Sequence, residues 1–150
     1  MFYHLPGDIL GDAPLSIAYV RDETAALVRV RPGGQPVLVA STAGRFGWWL
    51  EKQGEAAARE WFNHIIADLF GMDIIGRLGR FKASAWGFDP WIRGGYSTAR
   101  PGSRGARKRL MEPVDGVLWF AGEAASTDQF CTAHGAWISG RQAVARMMES

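Results

Sequence analysis

Two short runs in the last third of the chain carry the residue types from which a site can be built. Phe120-Ala121-Gly122-Glu123 ends an apolar stretch in a carboxylate. After a polar stretch from Ala124 to Cys131, Thr132-Ala133-His134-Gly135-Ala136 opens a helical pattern. In open α/β sheets, ligands sit beyond the carboxyl ends of strands, where crossover helices begin. A helix N-terminus offers unpaired N–H groups and about half a positive charge, so it favours an anionic or electron-rich group. Gly135 and Gly140 remove side-chain bulk, which lets this helix approach either a sheet or a ligand closely.

These residues need elements to hold them. An Asp115-Gly116 turn leads into Val117-Leu118-Trp119-Phe120-Ala121, an apolar run of the kind found in a strand covered on both faces. The last helix is expected from near Thr132 to about Met148, with Ala133, Ala136, Trp137, Gly140, Val144 and Met147 on one face. Upstream, Leu15 to Val20, Ala26 to Arg31 and Val37 to Ala40 read as strands. The turn signals Arg21-Asp22-Glu23-Thr24 and Pro32-Gly33-Gly34-Gln35 separate them, as in an antiparallel meander. From Glu55 to Phe70 the period becomes helical, with Ala58, Trp61, Phe62, Ile65, Ile66, Leu69 and Phe70 at three- and four-residue steps and Gly71 to stop it. Gly44 to Glu51 fits either a short helix or an irregular turn. Arg80 to Trp86 reads as a strand before a Gly- and Pro-rich loop from Gly87 to Gly105. The expected fold class is mixed, α+β with an α/β element: an antiparallel meander with one long helix, then a strand–loop–helix closing unit.

Composition narrows the function classes. A chain of 150 residues, 47% hydrophobic, suits one ordinary core. The net charge of +2 is too small to argue for nucleic acid. Arg100, Arg104, Arg107, Lys108 and Arg109 do cluster, but no nucleic-acid motif accompanies them, and the cluster reads as a solvated loop. A single cysteine, Cys131, forbids an internal disulfide, and it is expected to serve packing. No run is long and apolar enough to span a membrane, and Met1 to Pro6 does not resemble a signal peptide, so a cytoplasmic protein is expected. His4, His64 and His134 have no cysteine partners to suggest a metal site. Seven tryptophans suit core filling or the lining of a pocket for a flat ligand.

Longer motifs add a family. Trp86-Gly87-Phe88-Asp89-Pro90-Trp91-Ile92-Arg93-Gly94-Gly95-Tyr96-Ser97 resembles the W-x-x-D-P-W-x-R-G-x-Y-S segment of flavin amine oxidases. Phe120 to Glu123, followed by Thr132-Ala133-His134-Gly135-Ala136-Trp137-Ile138-Ser139-Gly140, resembles that family's F-A-G-E…T-x-H-G-A-x-x-S-G closing motif. The resemblance covers about residues 37 to 148 and is strongest after Trp86.

The resemblance implies a non-covalent FAD cofactor and oxidation of an amine to an imine, with O2 reduced to peroxide. It assigns Glu123 to the ribityl region, Gly122 to the cofactor site, Thr132 and Ala133 to the isoalloxazine edge, and Trp86 and Trp91 to the packing around the flavin. Tyr96 and Thr132 are expected to line the substrate side. Monoamine oxidases carry a covalently flavinylated cysteine where this chain has Gly95, and Thr132 is similar to the polyamine oxidase and histone-lysine demethylase branch. No catalytic side chain is identified, and neither Lys52 nor Lys82 sits in the context of the family lysine. The family's G-x-G-x-x-G fingerprint, which seats the pyrophosphate, is found nowhere in the 150 residues. Residues 1–85 are therefore expected to be part of a substrate-binding domain, and 86–150 the C-terminal part of an FAD-binding domain. On this reading the chain is truncated, its cofactor site is incomplete, and it requires a second chain for the missing half or exists as a non-catalytic remnant. Self-association through uncovered apolar surface is a further expectation.

Overall fold

Alternation builds the sheet. In β3 (Thr24–Val30) every second side chain from Ala26 is buried, with Val28 and Val30 following, the two-residue period of a strand with one covered face. β4 (Val37–Ser41) buries Leu38 and Ala40 in the same way, and β1 (Phe2–His4) buries Tyr3. With β2 (Leu15–Arg21) and β5 (Phe81–Lys82), these strands form one sheet in the order β2-β3-β4-β1-β5, every neighbouring pair antiparallel. The register sets Val28 opposite Ile17 on one side and Ala40 on the other, while Tyr3 stands between Leu38 and Phe81. The structure is a computed structural model and describes residues 1–149.

Two helices follow β4. α1 (Gly44–Gln53) and α2 (Glu55–Phe70) are separated by Gly54 alone, at φ 90° and ψ 179°, a conformation essentially reserved for glycine. The apolar steps along α2 put Ala58, Phe62, Ile65 and Ile66 on one buried stripe. That stripe joins Tyr3, Leu5, Val28, Val30, Leu38 and Ala40 in a single core. The Tyr3 ring lies 5.6 Å from Phe62 and 4.8 Å from Phe81, and its hydroxyl donates to Asn63 Oδ1 at 2.6 Å. The aromatic cluster therefore has a satisfied polar tip. Phe46 stacks on Trp49 and meets Trp61 at 5.0 Å, seating α1 against α2.

The meander and α2 lie where periodicity puts them, and Gly44–Gln53 resolves as a helix. β1 was not anticipated. The expected strand from Arg80 to Trp86 shortens to Phe81–Lys82. Beyond it the backbone donors turn to carboxylates: Ala83 N–H reaches Glu55 at 3.3 Å and Gly87 N–H reaches Glu51 at 2.9 Å, so they are not available to a ladder.

These elements form one compact unit, Met1–Arg93, and a second unit begins at Gly94. The second holds α3 (Ala106–Leu110), a 3-10 turn at Glu123–Ala125 and α4 (Ala133–Glu149). The strand expected at Val117–Ala121 is absent. Only an isolated bridge between Val114 and Leu118 forms, and Val117, Leu118 and Phe120 are exposed. An apolar run becomes a buried strand only beside other strands, and among the described residues this unit contains none. The buried hydrophobic residues described here are two alanines, Ala125 and Ala143.

The core of the first unit rests on α2. Replacing the fully buried Phe62 by alanine should lower stability by about 3–5 kcal/mol, read as a shift in the urea midpoint followed by circular dichroism. A shift near zero would show that α2 does not anchor the sheet.

Candidate functional site

In the second unit, the turn that presents the carboxylate depends on Gly122. Its φ of 125° and ψ of 178° are open to glycine and strained for any side chain. The Gly122 N–H donates to Ser139 Oγ at 2.8 Å. That hydroxyl in turn lies 2.7 Å from the Gly122 carbonyl and 3.0 Å from the Ala136 carbonyl, on which its single proton can be spent. Ser139 is buried, so one side chain of α4 clips the turn to the helix.

Glu123 follows and acts as an acceptor hub. Its Oε1 takes the Ser97 N–H at 2.7 Å, and its Oε2 takes the Ser97 hydroxyl at 2.9 Å and the Cys131 N–H at 2.8 Å. An ionised carboxylate offers about four lone-pair positions, so about one, on Oε1, is left for a further donor. Arg107 backs this arrangement, donating to Ser97 Oγ at 2.6 Å, to the Ala124 carbonyl at 3.1 Å and to the Ser97 carbonyl at 3.2 Å. Its guanidinium sits 4.3 Å above the Phe130 ring. Partial burial works to raise the Glu123 pKa. The Cys131 N–H, the Ser97 hydroxyl and N–H, and the Arg107 charge outweigh it and hold the carboxyl below the usual glutamate value.

The start of α4 stands beside this hub. Thr132 caps the helix: its Oγ1 accepts the Gly135 N–H at 3.0 Å while its own proton goes to the Gln129 carbonyl at 2.6 Å. Gly135 cannot be replaced in place, because a Cβ there would lie 1.9 Å from the Gln129 carbonyl oxygen. Cys131, just before the cap, adopts a left-handed conformation at φ 62° and aims its N–H at Glu123. It is exposed, and its thiol donates to the Ser97 carbonyl at 3.4 Å; the packing role expected from sequence is not what holds it. The N–H groups of Ala133 and His134, in the first turn, have no carbonyl one turn earlier within the helix.

Of the residues singled out from sequence, the structure gathers Gly122, Glu123, Thr132 and Ala133 within the second unit. Tyr96, in the same unit, is exposed and immediately precedes the Ser97 that binds Glu123. Trp86 and Trp91 belong to the first unit. Trp86 lines a cavity of about 270 Å³ together with Thr42, Leu50, Glu51 and Ala58, and Trp91 is 92% exposed. Between them Asp89 Oδ1 accepts the N–H groups of Trp91 and Ile92 at 2.9 and 3.0 Å, which is why an aspartate punctuates this motif. Sequence reasoning missed three participants. Ser97 closes the Tyr-Ser motif but received no role. Ser139 lies in the closing motif and reads as an ordinary helical serine. Arg107 reads from sequence as part of a solvated cluster, yet it turns toward Ser97 and Ala124.

The direction of the Glu123 shift fixes a pH effect. A carboxylate whose folded pKa is depressed adds stability above its unfolded value, and loses that contribution as pH falls through the lower folded value. Wild-type chain should therefore exceed Glu123→Gln in stability near neutrality, and the difference should vanish on acidification below the ordinary glutamate range, read by thermal melts at stepped pH. A difference independent of pH would show that the hydrogen bonds do not depend on the charge.

A sequence profile described as flavin containing amine oxidoreductase matches residues 15–148. Polyamine oxidase 5 of Oryza sativa subsp. japonica is 38% identical over 110 residues, covering 71% of this chain and 21% of the rice protein. Polyamine oxidase 4 from the same plant is 37% identical over 111 residues, covering 71% and 22% respectively. Lysine-specific histone demethylase 1 homolog 3 of Arabidopsis thaliana is 29% identical over 120 residues, 77% of this chain and 7% of that protein. The chain thus spans about a fifth of the length of the rice proteins, and its likeness lies with the polyamine oxidase and demethylase branch. With a match running through the sheet, α2, the Glu123 turn and α4, this chain belongs to the family of flavin containing amine oxidoreductases.

Proposed function

We propose that this chain is the C-terminal, flavin-contacting portion of an FAD-dependent amine oxidase. Residues 1–85 would form part of its substrate-binding domain and 86–150 the closing part of its FAD-binding domain. The observation that carries the reading is the bond from Cys131 N–H to Glu123 Oε2 at 2.8 Å, which joins the carboxylate to the entrance of α4. The donor and acceptor set suits a flavin. About one acceptor position on Glu123 is open to a ribityl hydroxyl, and the first-turn N–H groups of α4 favour negative charge at the pyrimidine edge of the ring.

In this reading a bound flavin supplies the electron acceptor that converts an amine to an imine, with O2 taken to peroxide. The chain's own residues bind and orient. By the family resemblance, Glu123 would hold the ribityl chain with Gly122 contributing to the cofactor site, Thr132 and Ala133 would meet the ring edge, and Trp86 and Trp91 would pack around the flavin. Tyr96 gives the amine a flat, electron-rich surface, on which a cation is attracted to the ring face. Thr132 leaves the opposite side open. Gly95 has no thiol where the monoamine oxidases carry their flavin-linked cysteine, so the FAD would be held without a covalent bond at this position. A second polypeptide carrying the G-x-G-x-x-G unit would seat the pyrophosphate, and the completed protein would work in the cytoplasm.

A second reading has its own support. Tyr96, Phe120, Trp137, Val144 and Met148 of the second unit are all exposed, as in a module whose apolar surface waits for a partner. In that reading the chain is a non-catalytic remnant that folds and associates without oxidising anything.

Absorbance separates the two. The isolated chain mixed with FAD should bind poorly and self-associate, whereas co-expression with a polypeptide carrying the glycine fingerprint should give a yellow, amine-oxidising complex. A complex that forms and stays colourless would favour the remnant. In the yellow complex, Glu123→Gln should weaken FAD retention roughly ten-fold or more, since a bond to a charged acceptor is replaced by a neutral one. Unchanged retention would remove Glu123 from the cofactor site.

A further inference from the structure

Among the described residues, Arg107 is the one member of the basic cluster whose side chain hydrogen-bonds to the protein; Arg100, Arg104, Lys108 and Arg109 are exposed. Its contacts fall on every segment that surrounds the Glu123 carboxylate. One guanidinium nitrogen reaches Ser97 Oγ and the Ala124 carbonyl, the other reaches the Ser97 carbonyl, and the plane lies over Phe130, next to Cys131.

The bond to Ser97 Oγ has a consequence for polarity. A serine hydroxyl has one proton and can also accept, whereas a guanidinium only donates. With Arg107 donating at 2.6 Å, the hydroxyl must accept there, and its proton is directed to Glu123 Oε2, 2.9 Å away. Without that donor the hydroxyl rotor loses the contact that fixes its direction towards Glu123.

We propose that Arg107 is a positioning residue: acting through the Ser97 hydroxyl, it fixes the orientation of the Glu123 carboxylate and keeps its remaining acceptor position free for the flavin's sugar-alcohol chain. This rests on the assignment of Glu123 to the flavin. The charged and polar groups facing Glu123 are Arg107, the Ser97 hydroxyl and N–H, and the Cys131 N–H. A lysine cannot reproduce the whole arrangement, because an ammonium keeps the charge and loses the second nitrogen of the planar fork, which reaches the Ser97 carbonyl.

The test is a carbon-13 NMR titration of the Glu123 side-chain carboxyl in the 150-residue chain, which requires no cofactor. Arg107→Met should move the midpoint up towards the ordinary glutamate value, and Arg107→Lys should fall between Met and wild type. In a Ser97→Ala background the effect of Arg107→Met should shrink, because the hydroxyl that transmits it is gone. An unchanged midpoint in Arg107→Met, or an effect of equal size with and without the Ser97 hydroxyl, would overturn the proposal. Should Arg107→Met fail to fold, Arg107→Lys decides: a wild-type midpoint there overturns it equally. The flavin assignment fails separately, if Glu123→Gln retains FAD as well as wild type in the completed complex.

Discussion

The second unit depends on an ionised carboxylate held by neutral donors and one cation. Its buried apolar residues are alanines, so area removed from water contributes little there, and the Glu123 hub takes over the task of joining segments. Three donors from two places in the chain, Ser97 and Cys131, converge on one side chain, and Arg107 braces the donor side. Hydrogen bonds to a charged group are stronger than neutral ones, and this allows a small set of them to define geometry where packing is sparse. The residue just before the α4 cap, Cys131, is tied directly to that carboxylate.

The first unit is built on the opposite principle. Its sheet and α2 share a continuous core in which Tyr3, Phe62, Ile65, Ile66, Leu38, Val28 and Val30 are almost wholly buried. Some of its polar contacts lie at the edge: Tyr19 and Arg21 reach Asp68 from the outer strand, each at 2.6 Å, in solvent. Such exposed pairs contribute little.

Sequence periodicity was a good guide wherever burial set the pattern. The alternation in β3 and the three- and four-residue steps of α2 are direct imprints of the covered face, and the expected boundaries of α2 match the structure. It failed where a residue's role depends on a distant partner. Val117 to Ala121 has the composition of a buried strand, but strand formation requires neighbours, which no local pattern encodes. Phe2–His4 is too short to show a period, and only its pairing with β4 and β5 makes it a strand. Arg107 looked like its exposed neighbours because charge alone does not reveal which arginine turns inwards. Glu123, Gly122 and Thr132 were legible through motif resemblance, and the structure adds a physical reason for each: a glycine-only backbone, a convergence of donors, and a helix cap.

Gly135 has a consequence for how this region can vary. The Gln129 carbonyl occupies the space that a β-carbon at this position would need, so the helix start and the segment before it approach as closely as only glycine allows. The connecting segment is pinned at both ends, by Cys131 on Glu123 and by Thr132 on Gln129, so its contour length is matched to the gap it crosses. Insertions and deletions between Glu123 and Gly135 would displace the cap relative to the carboxylate, whereas the loop from Arg100 to Gly105 is under no comparable restraint. Length variation among natural homologues should therefore gather in the latter and avoid the former.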